Sequence, residues 1–139
     1  MRNTEPDSTQ VVALVAPLNS EGNILLLKRD DAQHCGGLWS FPGGKVESNE
    51  NNQQAASREL QEETGLSGSQ WQELGETNHV YPDWSLKLVL FSCLCPDTSE
   101  LHTETEHSWV HCDELNAYPM PQANAKLLPV LKTYLEEKS

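Results

Sequence analysis

From residue 51 to residue 63 the chain holds no glycine, no proline and no β-branched residue, and Thr64-Gly65 follows directly. Nothing in that window resists helical dihedrals, and a glycine can take the left-handed turn that ends a helix, so the window predicts a helix to Thr64. Ala55, Ala56 and Leu60 give it a narrow apolar stripe. Around it the pattern changes from helical to strand-like. Residues 11–17 and 23–29 are apolar runs split by Asn19-Ser20-Glu21-Gly22, which predicts two strands buried on both faces or nearly so. Residues 30–37 read as a loop and 38–41 as a short strand stopped by Pro42-Gly43-Gly44. Residues 71–81 and 84–95 predict two strands turning at Pro82-Asp83. The second reads as half-buried, because Leu86, Leu88 and Leu90 alternate with Ser85, Lys87 and Val89. A polar, mobile loop is expected over 96–107 and a short last strand over 108–111. A closing helix is expected over 125–137, with Asn124 as a possible N-cap and Pro129 as a start or kink. Strands framing two helices make this an α/β chain.

With 139 residues there is room for one core, and residues 10–139 are expected to form a single domain after a disordered stretch of 1–9. Nine Lys and Arg against 21 Asp and Glu leave a net charge of −12, which argues against binding a nucleic-acid polymer through its phosphates. The apolar runs are too short for a membrane span, and the polar opening does not read as a signal peptide. Cys93 and Cys95 would share one strand face and not bridge, and with Cys35 and Cys112 they are expected to be reduced in a cytoplasmic protein. A zinc site from His107, His111 and Cys112 is a weak alternative, since the spacing fits no common pattern.

The chemistry concentrates between residues 44 and 66. On a helix, Glu62 and Glu63 stand within about 60° of Glu59. Carboxylates so close repel one another, and a hard divalent cation with oxygen ligands, Mg²⁺ or Mn²⁺, removes the penalty. A solvated acidic face is the commoner explanation of three glutamates taken alone. The residues around them decide the matter. Gly44, Glu50, Arg58-Glu59-Leu60, Glu62-Glu63 and Gly65-Leu66 occupy all nine specified positions of G-x5-E-x7-R-E-U-x-E-E-x-G-U, where U is hydrophobic.

That pattern is the Nudix box, and the chain resembles the Nudix hydrolases. Residues 38–47, ahead of and into the box, resemble MutT-type members, the nucleoside triphosphate pyrophosphohydrolases, and residues 118–124 resemble the stretch that presents a base-reading Asn there. The resemblance implies an α/β/α sandwich around a mixed sheet. It implies Glu59, Glu62, Glu63 and the Gly44 carbonyl as metal ligands, and Arg58 as the group orienting a box carboxylate. Arg29 matches a phosphate-contacting position, and Lys45 is either a further contact or a surface lysine. A family carboxylate outside the box falls on Thr103 here, so the general base is left between the adjacent Glu104, which is favoured, and Glu59. Asn124 is expected to read the base, as an amide offers both donor and acceptor, or to cap the last helix. Phe41 and Trp84 are candidate base-pocket walls or ordinary packing.

The implied reaction is hydrolysis of a nucleoside triphosphate to monophosphate and pyrophosphate, with removal of 8-oxo-dGTP as the first expectation. Cytidine nucleotides, dihydroneopterin triphosphate, or a non-catalytic nucleotide-sensing role are the alternatives, in a monomer or homodimer. An acidic protein should repel such a substrate. Four of its nine basic residues (Lys28, Arg29, Lys45 and Arg58) nevertheless fall within residues 28–58, around the predicted site, and a bound cation would add positive charge there.

Overall fold

A computed structural model describes residues 9–29 and 37–138. Strands β1 (Thr9–Leu18) and β2 (Ile24–Lys28) come first, then the short β3 (Trp39–Ser40) and β4 (Gly43–Lys45). Helix α1 (Asn52–Thr64) is followed by β5 (Ser69–Val80), β6 (Ser85–Leu94) and β7 (His107–Val110). A 3-10 turn (Cys112–Ala117), the single-turn α2 (Gln122–Ala125) and α3 (Leu128–Lys138) complete the order. The sheet runs β3-β2-β1-β6-β5, with β4 pairing β1 and β7 pairing β2. Only β1 and β6 are parallel; the other pairings are antiparallel, so the sheet is mixed.

Both faces of this sheet are covered. Along β1, Leu14, Ala16 and Leu18 pack with Leu127 and Leu131 of the C-terminal segment, while Ala13 and Val15 pack with Ala55, Ala56 and Leu60 of α1. The helices thus form the outer layers of an α/β/α sandwich. Covering both faces also corrects the reading of β6 as half-buried: every residue from Leu88 to Cys93 is buried, because β6 lies beside β1 in the sheet centre. The exposed strand is β5, at the edge.

Helix α1 has the ends its sequence predicts. Asn51 and Gln54 form a reciprocal capping box at 2.8 Å in each direction. Gly65 closes the other end at φ +76°, its N–H bonded to the Gln61 carbonyl. A side chain there would meet the Glu100 carbonyl as well as suffer the left-handed strain. The 96–106 loop has no regular structure but makes three contacts with the body: the His102 N–H donates to the Thr64 carbonyl, the Lys28 N–H to the Glu106 carbonyl, and Leu101 packs on the core.

The C-terminal segment differs from expectation. Asn124 lies inside α2, whose N-cap is Pro121, and its side chain makes no cap bond. The long helix begins at Leu128 instead, which places Pro129 in the first turn, where its missing N–H costs nothing. At the N-terminus, Thr9 already pairs with Ser85, and residues 1–8 lie outside the described set, as do Cys35 and the predicted loop over 30–36. Cys93 and Cys95 are free and buried, with their sulfurs 3.9 Å apart. Among the described residues no helix is long and apolar enough to cross a membrane.

Candidate active site

One turn of α1 and the β3–β4 bend build the polar end of the site. Arg58 is its organiser. Its Nη2 donates to Glu50 Oε1 at 2.6 Å and to the Lys45 carbonyl at 3.1 Å, and its Nε donates to Glu50 Oε2 at 3.1 Å. Its Nη1 reaches Glu59 at 3.1 Å and Glu62 at 3.3 Å. The hydrogen bonds from Arg58 hold the Glu50 carboxyl below the usual carboxylate range, and Glu50 in turn holds Arg58 firmly cationic. Arg58 thus bonds two of the box glutamates expected as metal ligands, and its main partner is Glu50, a position the box names without revealing its task.

Glu63 has a different environment. Burial pushes its carboxyl up to about 7; the Gly43 N–H, donated to Oε1 at 3.0 Å, pulls it down, Glu59 and Glu62 raise it, and Arg29 lowers it. A half-buried carboxylate raised by two others is what a cation would relieve. Gly44 adds a second sign of fit, since a Cβ at that position would run into the Glu59 carboxylate. The donor set here is all oxygen, which suits a hard divalent ion, and Glu59, Glu62, Glu63 and the Gly44 carbonyl are the groups that could hold one.

Gly44, Glu62 and Glu63 open onto a cavity of about 780 Å³. Arg29, Lys45, Glu62, Glu63 and Glu104 line its polar end. Phe41, Leu14, Leu86 and Leu88 line an apolar recess that also contains Asn124. Asn124 is buried, and its Oδ1 accepts the Phe41 N–H at 3.4 Å. Of the sequence-predicted site residues, Arg29, Phe41, Gly44, Lys45, Glu62, Glu63, Glu104 and Asn124 line this space, whereas Arg58, Glu59 and Trp84 are not part of its lining.

Trp84 corrects the expectation of a pocket wall. It stands outside the lining and stacks on Tyr81, ring centroids 4.4 Å apart, while Tyr81 and His79 line the cavity themselves. Neither carried a signal in the sequence. The place of His79 follows from the β5–β6 register, which sets it opposite Leu86, and that of Tyr81 from the turn after Val80; only the Leu86, Leu88 alternation hinted at that wall. The zinc alternative is also corrected. His107 turns to Thr103 at 3.1 Å, and the ligand-type atoms that gather within 4.8 Å belong to His111, Cys112 and Asp113. There His111 Nδ1 is already occupied, accepting the Asp113 N–H.

A carboxylate-bearing helix set beside a cavity lined by Arg29, Lys45, Glu62 and Glu63, within a mixed-sheet sandwich, is the arrangement of a phosphohydrolase. The NUDIX domain model matches residues 8–131, and the chain belongs to that family, whose hydrolases are generally dependent on a divalent metal. An 8-oxo-dGTP diphosphatase from Proteus vulgaris is 41% identical over 73 residues, 52% of this chain and 65% of that protein, just under two thirds of its length. A CTP pyrophosphohydrolase from Escherichia coli is 33% identical over 124 residues, covering 86% of this chain and 87% of the relative. A solved MutT, from the pair Aliivibrio salmonicida and Vibrio cholerae, superposes with a TM-score of 0.70 at 29% identity, covering 90% of this chain and 98% of that one. The protein is a MutT-type Nudix hydrolase.

Proposed function

We propose that this enzyme hydrolyses nucleoside triphosphates to the monophosphate and pyrophosphate with Mg²⁺, or Mn²⁺ in its place, and that 8-oxo-dGTP is its preferred substrate. It would then act in the cytoplasm to clear an oxidised nucleotide before polymerisation. The observation that carries this reading is the cavity itself, which joins the Glu62 and Glu63 end to the Asn124 recess in one space of nucleotide size. A bound divalent ion supplies charge neutralisation and a more acidic attacking water. The chain's own residues do the rest. Arg29 and Lys45 hold the phosphates, and Arg58 keeps Glu59 and Glu62 in place. Glu104, on the loop facing the box, accepts the proton of the attacking water. The base enters between Phe41 and the leucines, where Asn124 reads its edge.

CTP is the second reading, favoured by the CTP pyrophosphohydrolase relative, which matches across most of both chains. Comparing kcat/KM for 8-oxo-dGTP, dGTP, CTP and dCTP with Mg²⁺ separates the two. A clear preference for 8-oxo-dGTP over dGTP supports the first reading. Equal values for that pair sink it, and a CTP maximum installs the second.

A further inference from the structure

The recess holding Asn124 has a second polar group whose protonation pattern is fixed by its surroundings. His79 lies directly opposite Leu86 in the β5–β6 register. Directly paired residues share a sheet face, and His79, Tyr81, Leu86 and Leu88 all line the cavity. On its other side the imidazole meets Lys126. That ammonium lies 3.3 Å from His79 Nδ1 and donates to the Asn78 carbonyl at 3.2 Å. An ammonium only donates, so Nδ1 is the acceptor, and a neutral His79 then carries its proton on Nε2. Lys126 stands outside the cavity lining, two residues beyond Asn124, and so straps the hairpin to the segment that bears Asn124. Tyr81 packs edge-on against the imidazole, centroids 4.8 Å apart, and is itself stacked by Trp84. That row of rings limits rotation of the imidazole.

We propose that Lys126 holds His79 with its Nε2–H directed into the recess as a base-reading donor beside Asn124, so that the site selects bases offering an acceptor, a carbonyl oxygen or an unprotonated ring nitrogen, at that edge. This rests on the nucleoside triphosphate reading and names a contact by which the base is chosen. His79 touches the base; Lys126 is a positioning residue. A bound base that lacks the acceptor covers this N–H and leaves it unpaired, which costs on the order of tenfold to a hundredfold in kcat/KM.

The test compares the preferred nucleoside triphosphate with ribose 5′-triphosphate, which has no base to read. In Lys126→Met the ratio of the two kcat/KM values falls about tenfold, chiefly through the KM of the nucleotide, and Lys126→Arg returns it to within about threefold of the parent. His79→Phe, which keeps the ring packing on Tyr81, lowers the same ratio, and the double variant goes no lower. Long-range ¹H–¹⁵N spectra at alkaline pH, with His79 assigned by its loss in His79→Gln, show the proton on Nε2 in the parent and a tautomer mixture in Lys126→Met. An unmoved ratio in both single variants, or a parent proton on Nδ1, overturns the proposal. No turnover of any nucleoside triphosphate by the parent overturns the nucleotide reading and this contact with it, whereas turnover with an unmoved ratio removes the contact alone.

Discussion

Arg58 grips Glu50 with two prongs, Nη2 at 2.6 Å from Oε1 and Nε at 3.1 Å from Oε2. The same guanidinium reaches Glu59, Glu62 and the Lys45 carbonyl, so one cation ties β4 to α1 and spaces the carboxylates of the site. A planar fork can do this and a point charge cannot.

Replacing that fork tests its role. Arg58→Lys keeps the charge and loses the geometry, and is expected to weaken Mg²⁺ activation by about 10- to 100-fold, the usual cost of removing a group that orients metal ligands. Glu50→Gln should do the same to a smaller degree. The measurement is the Mg²⁺ concentration giving half-maximal activity. A value within twofold of the parent in Arg58→Lys would mean the bridge holds the fold and not the site.

Glu63 sets a pH dependence with a definite sign. Its carboxyl is raised to about 7 in the metal-free protein by burial and by its acidic neighbours. The folded chain therefore binds more protons than the unfolded one between the ordinary carboxylate value and about 7, and metal-free stability falls as pH rises through that window. A cation needs the carboxylate form, so Mg²⁺ affinity rises with pH by up to about tenfold per unit and levels off above pH 7. Calorimetric titration in buffers of different ionisation enthalpy should show proton release near pH 6 and little near pH 8.5. Glu63→Gln should abolish that release.

Gly44 is required for its missing side chain. A Cβ would occupy the space of the Glu59 carboxylate, so Gly44→Ala must push Glu59 aside. The expected result is a loss of about 100-fold in kcat, since catalytic groups displaced by about 1 Å lose that much, with an unchanged far-ultraviolet circular dichroism spectrum. Full activity in this variant would show that Glu59 has another place to go and still works.

How much of this was legible beforehand depended on the range of the interactions. Helix α1 was legible because its start, stripe and stop are all local, in Asn51, Ala55, Ala56, Leu60 and Gly65. The box glutamates were legible because helical spacing alone sets their common face. The burial of β6 was not, because alternation at Leu86, Leu88 and Leu90 looks the same whether one face is covered or two; the parallel neighbour β1 and the two helix layers decide it. Asn124 was expected as a base reader by resemblance alone, and its alternative role as a helix cap failed because Pro121 starts an extra turn before α3. Trp84 and Tyr81 could not be told apart by residue type. The turn after Val80 puts Tyr81 on the cavity side and Trp84 on its back.

The place of Asn124 yields the last prediction. Its Oδ1 accepts the Phe41 N–H at 3.4 Å, too long to contribute much. Asn124→Ala should therefore cost about 1 kcal/mol of stability or less. Against that small cost, kcat/KM for the preferred nucleotide should fall about 100-fold, because removing the amide leaves a base edge unpaired in a closed recess. Asn124→Asp separates the donor from the acceptor role. It keeps an oxygen for Phe41 and loses the NH₂, so it should fail on bases that present an acceptor and discriminate less against those that present a donor. Thermal melts run beside the substrate panel read both effects. A variant with a lowered Tm and an unchanged KM would assign Asn124 to the packing of α2 against Phe41, with the base read by other groups in the recess.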